Sequence, residues 1–297
     1  MRTRTKPESQ GQSTEADEKK AAPRLSNARS RELGEELRRI RHRARRSSAG
    51  TAEAMGWSLG KLSKLETGSR GTRAWEIATL IGRLGADKPA RDRILAIADE
   101  PDNGNFLRPY NDVPDTLTAL TLHEQLAQTI ITYEPLTVPN LAQTEDCAHA
   151  LTGDRALATA RTARQDALRR RSVGPEMVVL VHEAALRTIV GDPQVMRDQL
   201  LHLTLMCGWA HCSPRVIPMS TRSHAALRNP ATLLTFDHPI TPLAYIETDT
   251  AVVFQDEPQA VTHYQAKMRR LAALALSPGK SHDVLAGWAN RYDRDTR

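Results

Sequence analysis

The stretch that decides the fold of the N-terminal part of this chain is Ser48-Ala49-Gly50-Thr51-Ala52-Glu53-Ala54-Met55-Gly56-Trp57-Ser58-Leu59-Gly60-Lys61-Leu62-Ser63-Lys64-Leu65-Glu66. A helix-turn-helix requires a small residue inside its first helix, where the second helix crosses it, and a glycine four residues later at the turn. Ala52 and Gly56 meet these two requirements. Apolar side chains that anchor the second helix follow at Trp57, Leu62 and Leu65. The spacing therefore predicts a helix-turn-helix between Ser48 and Glu66.

The second helix of this motif is predicted to present one face to DNA. With Leu62 and Leu65 toward the core, Lys61 and Lys64 are expected side by side on the exposed face. Gly60 leaves room for a close approach of DNA, and Ser58 caps the helix and leaves its N-terminus free for a phosphate or a base edge. The predicted DNA-contacting residues are Arg45, Arg46, Ser48, Ser58, Leu59, Gly60, Lys61, Ser63, Lys64 and Arg70. The plainer alternative is a helical hairpin whose lysines are only solvated.

Helical patterns flank the motif on both sides. Leu33, Leu37 and Ile40 recur at helical spacing after Ser30, and this helix ends in an arginine-rich run that could lie along a phosphate backbone. Two more helices are predicted at about 75–84 and 89–100, so the region 24–100 should form a five-helix bundle. Turn-forming residues at 100–105 mark a domain boundary, and the polar residues 1–23 are expected to be a disordered tail.

Positive charge is concentrated in this bundle. The chain has a net charge of +6, but residues 24–93 hold 17 Lys and Arg against 8 Asp and Glu, which gives +9 there and −3 elsewhere. A patch of one sign on a small module is expected of a phosphate-binding surface, although a solvated helix face can also carry it.

Residues 105–297 are predicted to form a mixed α/β domain, so the fold class of the whole chain is α+β. A continuous apolar run at 176–181 is typical of a buried strand, and shorter strands are predicted at 215–219, 232–236, 243–248 and 251–254. Helices are predicted at 143–171, 194–206, 259–276 and 283–292. The helix at 259–276 carries an apolar stripe that could be core, a dimer interface or a partner surface: Val261, Tyr264, Met268 and Leu271.

Several classes of protein are disfavoured by the sequence. No apolar run approaches the roughly 20 residues of a membrane span, and the first residues lack the apolar region of a secretory signal, so a cytoplasmic protein with reduced cysteines is expected. No nucleophile elbow, phosphate-binding glycine loop or metalloprotease motif is present, which argues against an enzyme. Four potential zinc ligands fit no common spacing, so neither a metal nor a cofactor is predicted: His202, Cys207, His211 and Cys212.

The N-terminal domain resembles the XRE-type, lambda-repressor-like helix-turn-helix regulators in the three stretches 33–41, 56–58 and 64–68. The second domain resembles the region found in actinobacterial WhiJ-like regulators, through the stretches 133–139, 141–146 and 184–187. The family usually has a polar amide where Leu59 stands and a glutamine where Ser48 stands. Leu59 can instead contact a thymine methyl group.

The resemblance implies a transcriptional regulator that binds a double-stranded DNA operator as a homodimer. Pairing is expected on physical grounds too, because one such module contacts only a few base pairs. The family also implies control by a small BldB-like partner protein, in a manner reminiscent of antitoxins. Two alternatives stay open: a transcription factor whose second domain senses a small molecule, and an adaptor that binds nucleic acid without sequence preference.

Overall fold

The computed structural model describes residues 26–69, 71–110, 113–171, 173–222 and 224–295, with the backbone alone at 113–116. The predicted tail, residues 1–23, and one predicted DNA contact, Arg70, lie outside the described residues.

The described part of the N-terminal domain contains five short helices, as predicted. Most begin at a residue whose side chain accepts a hydrogen bond from a backbone N–H of the first turn, as Asn27, Ser47, Ser58 and Asp87 do. The helices are α1 (Ala28–Arg43), α2 (Ser48–Met55), α3 (Leu59–Glu66), α4 (Ala74–Arg83) and α5 (Lys88–Asp99). Their apolar faces form one core, which includes Leu37, Leu62, Leu80 and Ile94.

The second domain is built on a mixed sheet in the order β1-β7-β6-β5-β2-β3-β4. The first five strands in this order are antiparallel neighbours, and β2, β3 and β4 run parallel to one another. The strands are β1 (Asn105–Pro109), β2 (Thr129–Glu134), β3 (Glu176–His182), β4 (Cys212–Ile217), β5 (Ala231–Thr235), β6 (Leu243–Glu247) and β7 (Ala251–Gln255). Together with the helical N-terminal domain this confirms the predicted α+β class.

Helices cover both faces of the sheet. They are α6 (Val113–Leu126), α7 (Glu145–Thr152), α8 (Arg155–Arg169), α9 (Glu183–Arg187), α10 (Pro193–Met206), α11 (Pro258–Leu274) and α12 (Pro278–Asp295). On one face, α6 and α8 pack with Ile130, Leu234 and Phe254, while α10 and α12 pack with Val179 and Val216. On the other face, α11 packs against Tyr133, Leu180 and Leu233.

The apolar stripe of α11 therefore belongs to the core. Val261, Met268 and Leu271 are buried, and Met268 and Leu271 pack against the sheet. The stripe is thus not a surface for a dimer or a partner, which answers the question that the sequence left open. Within the described ranges, no helix is long and apolar enough to span a bilayer.

The two domains share a buried seam at the start of α1. Ala28 is fully buried in the same apolar cluster as Phe254, and its N–H donates to the carboxylate of Asp256, 2.6 Å away, just after β7. Beside it, Arg108 of β1 makes bidentate hydrogen bonds to Glu32 of α1, at 2.7 and 2.6 Å, and binds Glu100 as well. The first helix is therefore fixed to the sheet of the second domain.

Candidate nucleic-acid interface

The turn between α2 and α3 is built from the residues that the sequence singled out. Ala52 is buried inside α2, and Gly56 ends that helix in the left-handed conformation, with φ +64°. Ser58 caps α3, because its hydroxyl accepts a hydrogen bond from the N–H of Lys61 at 3.1 Å. A two-helix unit with a tight turn and a capped second helix is the geometry of a helix-turn-helix.

The buried side of α3 is held closely against α1. Leu62 and Leu65 lie in the core, and a Cβ added to Gly34 of α1 would lie 2.5 Å from the backbone oxygen of Glu66. Arg41 of α1 also forms a bidentate ion pair with the Glu66 carboxylate, at 2.7 and 2.8 Å, and both side chains are buried. Backbone contact and a buried ion pair together fix the angle at which α3 leaves the domain.

The opposite side of α3 is open to solvent. Leu59 at its first position is 54% exposed, and Ser63 and Lys64 are exposed as well. A Cβ added to Gly60 would meet no atom within 4 Å, so the backbone at Gly60 is accessible to a large partner. The structure thus brings four predicted contact residues, and the capping Ser58, onto one exposed end and face of the same helix.

Lys61 differs from this expectation. Its ammonium group contacts the carboxylate of Glu76 on α4 and lies 4.2 Å from the centre of the Trp57 ring, and its side chain is only 23% exposed. Hydrogen bonds from Lys61 and Thr72 lower the pKa of Glu76 to about 2. The prediction that Lys61 and Lys64 share a free exposed face was therefore wrong for Lys61, because α4 brings a carboxylate to it.

The remaining predicted residues lie on the connection between α1 and α2 and at the start of α2. Arg45 and Arg46 are exposed there, and Arg45 has a φ of +55°. The backbone carbonyl of Arg46 accepts a hydrogen bond from Arg41, which also holds Glu66 at the end of α3. Ser48 is half-buried in the first turn of α2, and the capping residue is its neighbour Ser47. The basic connection is thus tied to α3 through Arg41.

One feature of this surface was missed by sequence reasoning. Trp75, in the first turn of α4, is 62% exposed, an unusual state for so large an apolar side chain. Its neighbour Arg73 is exposed too. The sequence placed Trp75 in a helix, but helical spacing alone did not tell which side of the helix would face solvent.

His202, His211 and Cys212 line one cavity of the second domain, but the two histidines contact different partners. His202 meets the Trp209 ring edge-on, with ring centres 5.5 Å apart, and Nδ1 of His211 lies 2.5 Å from the Glu176 carboxylate. Burial, together with the neighbouring Cys207, raises the pKa of Cys212 to about 12. In the part of the chain that the structure describes, no group of three or more His, Cys, Asp or Glu side chains is placed to hold a metal ion.

Three consecutive residues of α12, Ser281, His282 and Asp283, differ in burial. Ser281 is buried, and its hydroxyl accepts a hydrogen bond from the N–H of Val216, whereas His282 and Asp283 are exposed on α12. The serine hydroxyl thus ties α12 to β4 and has a structural role.

Comparison with known proteins finds family matches in two parts of the chain. Residues 32–94 match the family described as a helix-turn-helix domain, and residues 117–287 match a domain of unknown function, DUF5753. A search of curated proteins finds no match to this chain. Among solved structures, TrmBL2, an archaeal chromatin protein described as showing a novel mode of DNA binding, shares 11% identity. The match covers 69% of this chain and 72% of the TrmBL2 chain. Its TM-score of 0.31 is too low to indicate a shared fold. By the match over more than half of its length, this chain belongs to the DUF5753 family, with a helix-turn-helix domain at the N-terminal side.

Proposed function

We propose that this protein is a sequence-specific transcriptional regulator of the WhiJ-like kind, which binds an operator as a homodimer under the control of a small partner protein. The observation that carries the DNA-binding part is the exposed face of α3, where Leu59, Gly60 and Lys64 stand on a helix fixed from behind by α1. A helix held rigidly by its own domain and free on its other side fits the major groove.

Within this surface the proposed roles differ by chemistry. Leu59 offers an apolar contact to a thymine methyl, and Ser63 can exchange hydrogen bonds with base edges. Lys64, Arg45 and Arg46 supply positive charge for phosphates, and the N-terminus of α2 at Ser48 offers free N–H groups for another. We also assign Arg70 to phosphate contact, on the basis of the sequence alone.

The test of this assignment starts from an operator found by mapping the sites that the full-length protein occupies in its cell. Fluorescence anisotropy then compares Lys64→Ala with Lys88→Ala, because Lys88 is also an exposed lysine, on α5, paired with Asp92. We expect Lys64→Ala to weaken binding and to lower the salt slope by about one unit, while Lys88→Ala changes neither. Lys61→Ala should alter the salt slope less, because Glu76 already neutralises that charge.

Leu59→Ala tests base reading separately from phosphate contact. It should weaken operator binding by about 1 kcal/mol when a thymine occupies the contacted position, and by less when uracil, which lacks the methyl group, replaces it. Equal affinity of wild type, Leu59→Ala and Lys64→Ala would contradict the assignment of α3 to the groove. Strong binding without preference among duplexes would favour the non-specific adaptor instead.

For the dimer we propose the outer face of α10 as the pairing surface. Leu201 and Leu205, one helical turn apart, are 46% and 67% exposed, and adjacent exposed leucines are typical of an interaction site. Light scattering should show a dimer for the full-length protein and a monomer after Leu201→Lys with Leu205→Lys. Leu136→Lys, at a leucine 62% exposed after β2, is the matched control. A monomeric wild type would contradict the proposed homodimer.

Control by a small protein is tested by purifying the full-length chain from its native cell. We expect a small protein to co-purify in a fixed ratio and to change operator affinity when it is added back. A preparation that represses or activates normally with no protein companion would contradict this part of the proposal.

A further inference from the structure

A cavity of about 490 Å³ lies in the second domain, between α8 and the first residues of β3 and β4. This volume falls within the range of about 300–1,000 Å³ that is usual for small-molecule sites. Its wall is largely apolar and includes Leu141, Leu168, Met177 and Trp209. The cavity is separate from the face of α3 described above.

Two buried polar atoms on residues of this wall have no hydrogen-bond partner among the described residues, Oε1 of Gln143 and Nε2 of His202. The Gln143 amide is fixed in orientation, because its Nε2 donates to the backbone oxygen of Val138 at 2.8 Å. Burial, together with the charge of Arg169, lowers the pKa of His202, so its ring is neutral near pH 7. Both residues line the cavity, and the two unpaired atoms themselves are closed off from solvent.

The wall also carries a cation that no carboxylate of the described residues neutralises. Arg169 and Arg170 both pair with Asp166, at 2.8 and 3.5 Å. Arg171 makes a long hydrogen bond, 3.4 Å, to the backbone oxygen of Ala127, and among the described residues it has no acidic partner. Glu145, the other acid of the wall, binds Thr159 and Arg155. A ligand with one negative charge would therefore complete the electrostatics of the cavity.

We propose that this cavity binds a small aromatic organic acid. The ring packs against Trp209, whose indole already contacts the guanidinium of Arg169 at 5.3 Å and therefore sits in an environment that favours π systems. The carboxylate binds Arg171. An apolar pocket with a few convergent polar groups selects such a molecule by shape and by charge.

The position of α8 gives this site a route to the DNA-binding domain. One side of α8 lines the cavity, and its other side lines a second cleft through Ala160, Ala163 and Ala167. The opposite wall of this second cleft is formed by Arg31 and Arg38 of α1. A ligand that shifts α8 would therefore change the wall that faces α1. This coupling rests on the proposed DNA-binding function, whereas ligand binding itself does not.

The test uses the full-length protein and a panel of naphthoic, hydroxynaphthoic, anthranilic and indole-carboxylic acids, each paired with its uncharged carboxamide. Titration calorimetry and protein-observed NMR should find acids that bind at one site per chain, at least tenfold more tightly than their amides. Arg171→Gln should weaken the best acid at least tenfold, and Trp209→Leu should weaken it as well. Arg170→Gln, which removes the same charge from the adjacent residue outside the cavity, should change the affinity less than twofold.

The proposed site is overturned if no acid of the panel binds saturably, or if Arg171→Gln and Arg170→Gln have equal effects. Both variants lie at the end of α8 and are exposed or half-buried, and circular dichroism shows whether each is folded. The coupling is tested separately, by measuring operator affinity with and without the best acid. An unchanged affinity overturns the coupling and leaves the site, whereas a protein that binds the acid but no DNA overturns the proposed function alone.

Discussion

The ion pair between Arg108 and Glu32 offers a direct test of how firmly the helix-turn-helix domain is joined to the second domain. Arg108 lies on β1 and Glu32 on α1, their side chains are 11% and 8% exposed, and two hydrogen bonds of 2.7 and 2.6 Å join them. Arg108→Met removes the guanidinium and leaves the Glu32 carboxylate buried without its main partner. Removing one member of a buried pair costs about 3–5 kcal/mol, because an uncompensated charge stays in an apolar environment.

A double-mutant cycle separates the pair from the packing of its side chains. Glu32→Leu should cost less than Arg108→Met, because the guanidinium of Arg108 keeps its two hydrogen bonds to the Glu100 carboxylate. The double variant should be destabilised by far less than the sum of the two, because replacing both members of a buried pair by apolar groups is often nearly neutral. The expected coupling is therefore about 3 kcal/mol or more, well above the limit for residues that act independently.

Urea unfolding of the four proteins, followed by circular dichroism and tryptophan fluorescence, measures the cycle. Arg155→Met is the matched control, because Arg155 forms its ion pairs with Asp146 and Glu145 on the surface and is 58% exposed. Such exposed pairs contribute about 0–1 kcal/mol. If Arg108→Met costs no more than Arg155→Met, the buried pair does not hold the two domains together and the reasoning about the seam fails.

Three further predictions concern packing and pH. Gly34→Ala should destabilise the protein by about 1–3 kcal/mol, because the added Cβ would lie 2.5 Å from the backbone oxygen of Glu66. Gly60→Ala is the control and should not lower the melting temperature, because its Cβ meets no atom within 4 Å. Equal melting temperatures of the two variants would contradict the close crossing of α1 and α3. Burial, with the charges of Arg31 and Arg108, lowers the pKa of His123 well below its ordinary value of 6.5. The free energy of unfolding of the wild type should therefore fall by up to about 1.4 kcal/mol per pH unit below pH 6.5, where the histidine of the unfolded chain takes up a proton and the buried one does not. Urea titrations at pH 7.5 and 5 should show this loss in the wild type and not in His123→Leu. Burial and the charge of Glu247 raise the pKa of Glu134 to about 8. The free energy of unfolding of the wild type should therefore fall between pH 5 and 8 relative to that of Glu134→Gln, because the carboxyl ionises earlier in the unfolded chain. Parallel curves of stability against pH for the two proteins would contradict the raised pKa.

The helix-turn-helix was predictable because its signals are local. Gly56 ends α2 and Ser58 caps α3 through contacts within three or four residues, so the amino-acid types alone indicate the turn. The partner of Lys61 could not be predicted in the same way, because Glu76 is fifteen residues away and reaches the lysine only after α4 has packed. Local chemistry predicted the helix and its exposed side, and tertiary packing decided which of its two lysines remains free.

The strand β1 shows the same limit in the second domain. Its residues, Asn105–Pro109, follow a run of turn formers and end in proline, a pattern that favours a linker over a strand. It becomes a strand by pairing with β7, whose partner residue Gln255 lies 150 positions after Asn105. The segment directly after the predicted boundary, for which the sequence predicted no strand, is therefore an edge strand of the sheet, and the Arg108 that it carries joins the domains.

Under the proposed control of DNA binding by the second domain, this attachment determines which movement can carry it. The N-terminus of α1 is fixed by Asp256, and Gly34 and Arg41 of the same helix fix α3, so a change at the seam moves α3 together with α1. Sixteen residues of helix extend about 24 Å, so a tilt of about 10° at the seam displaces the far end of α1 by about 4 Å. This displacement is comparable to the rise of about 3.4 Å per base pair along the axis of DNA. In a dimer, where two such helices must fit two half-sites at once, a small change in tilt would be enough to break the match with the operator.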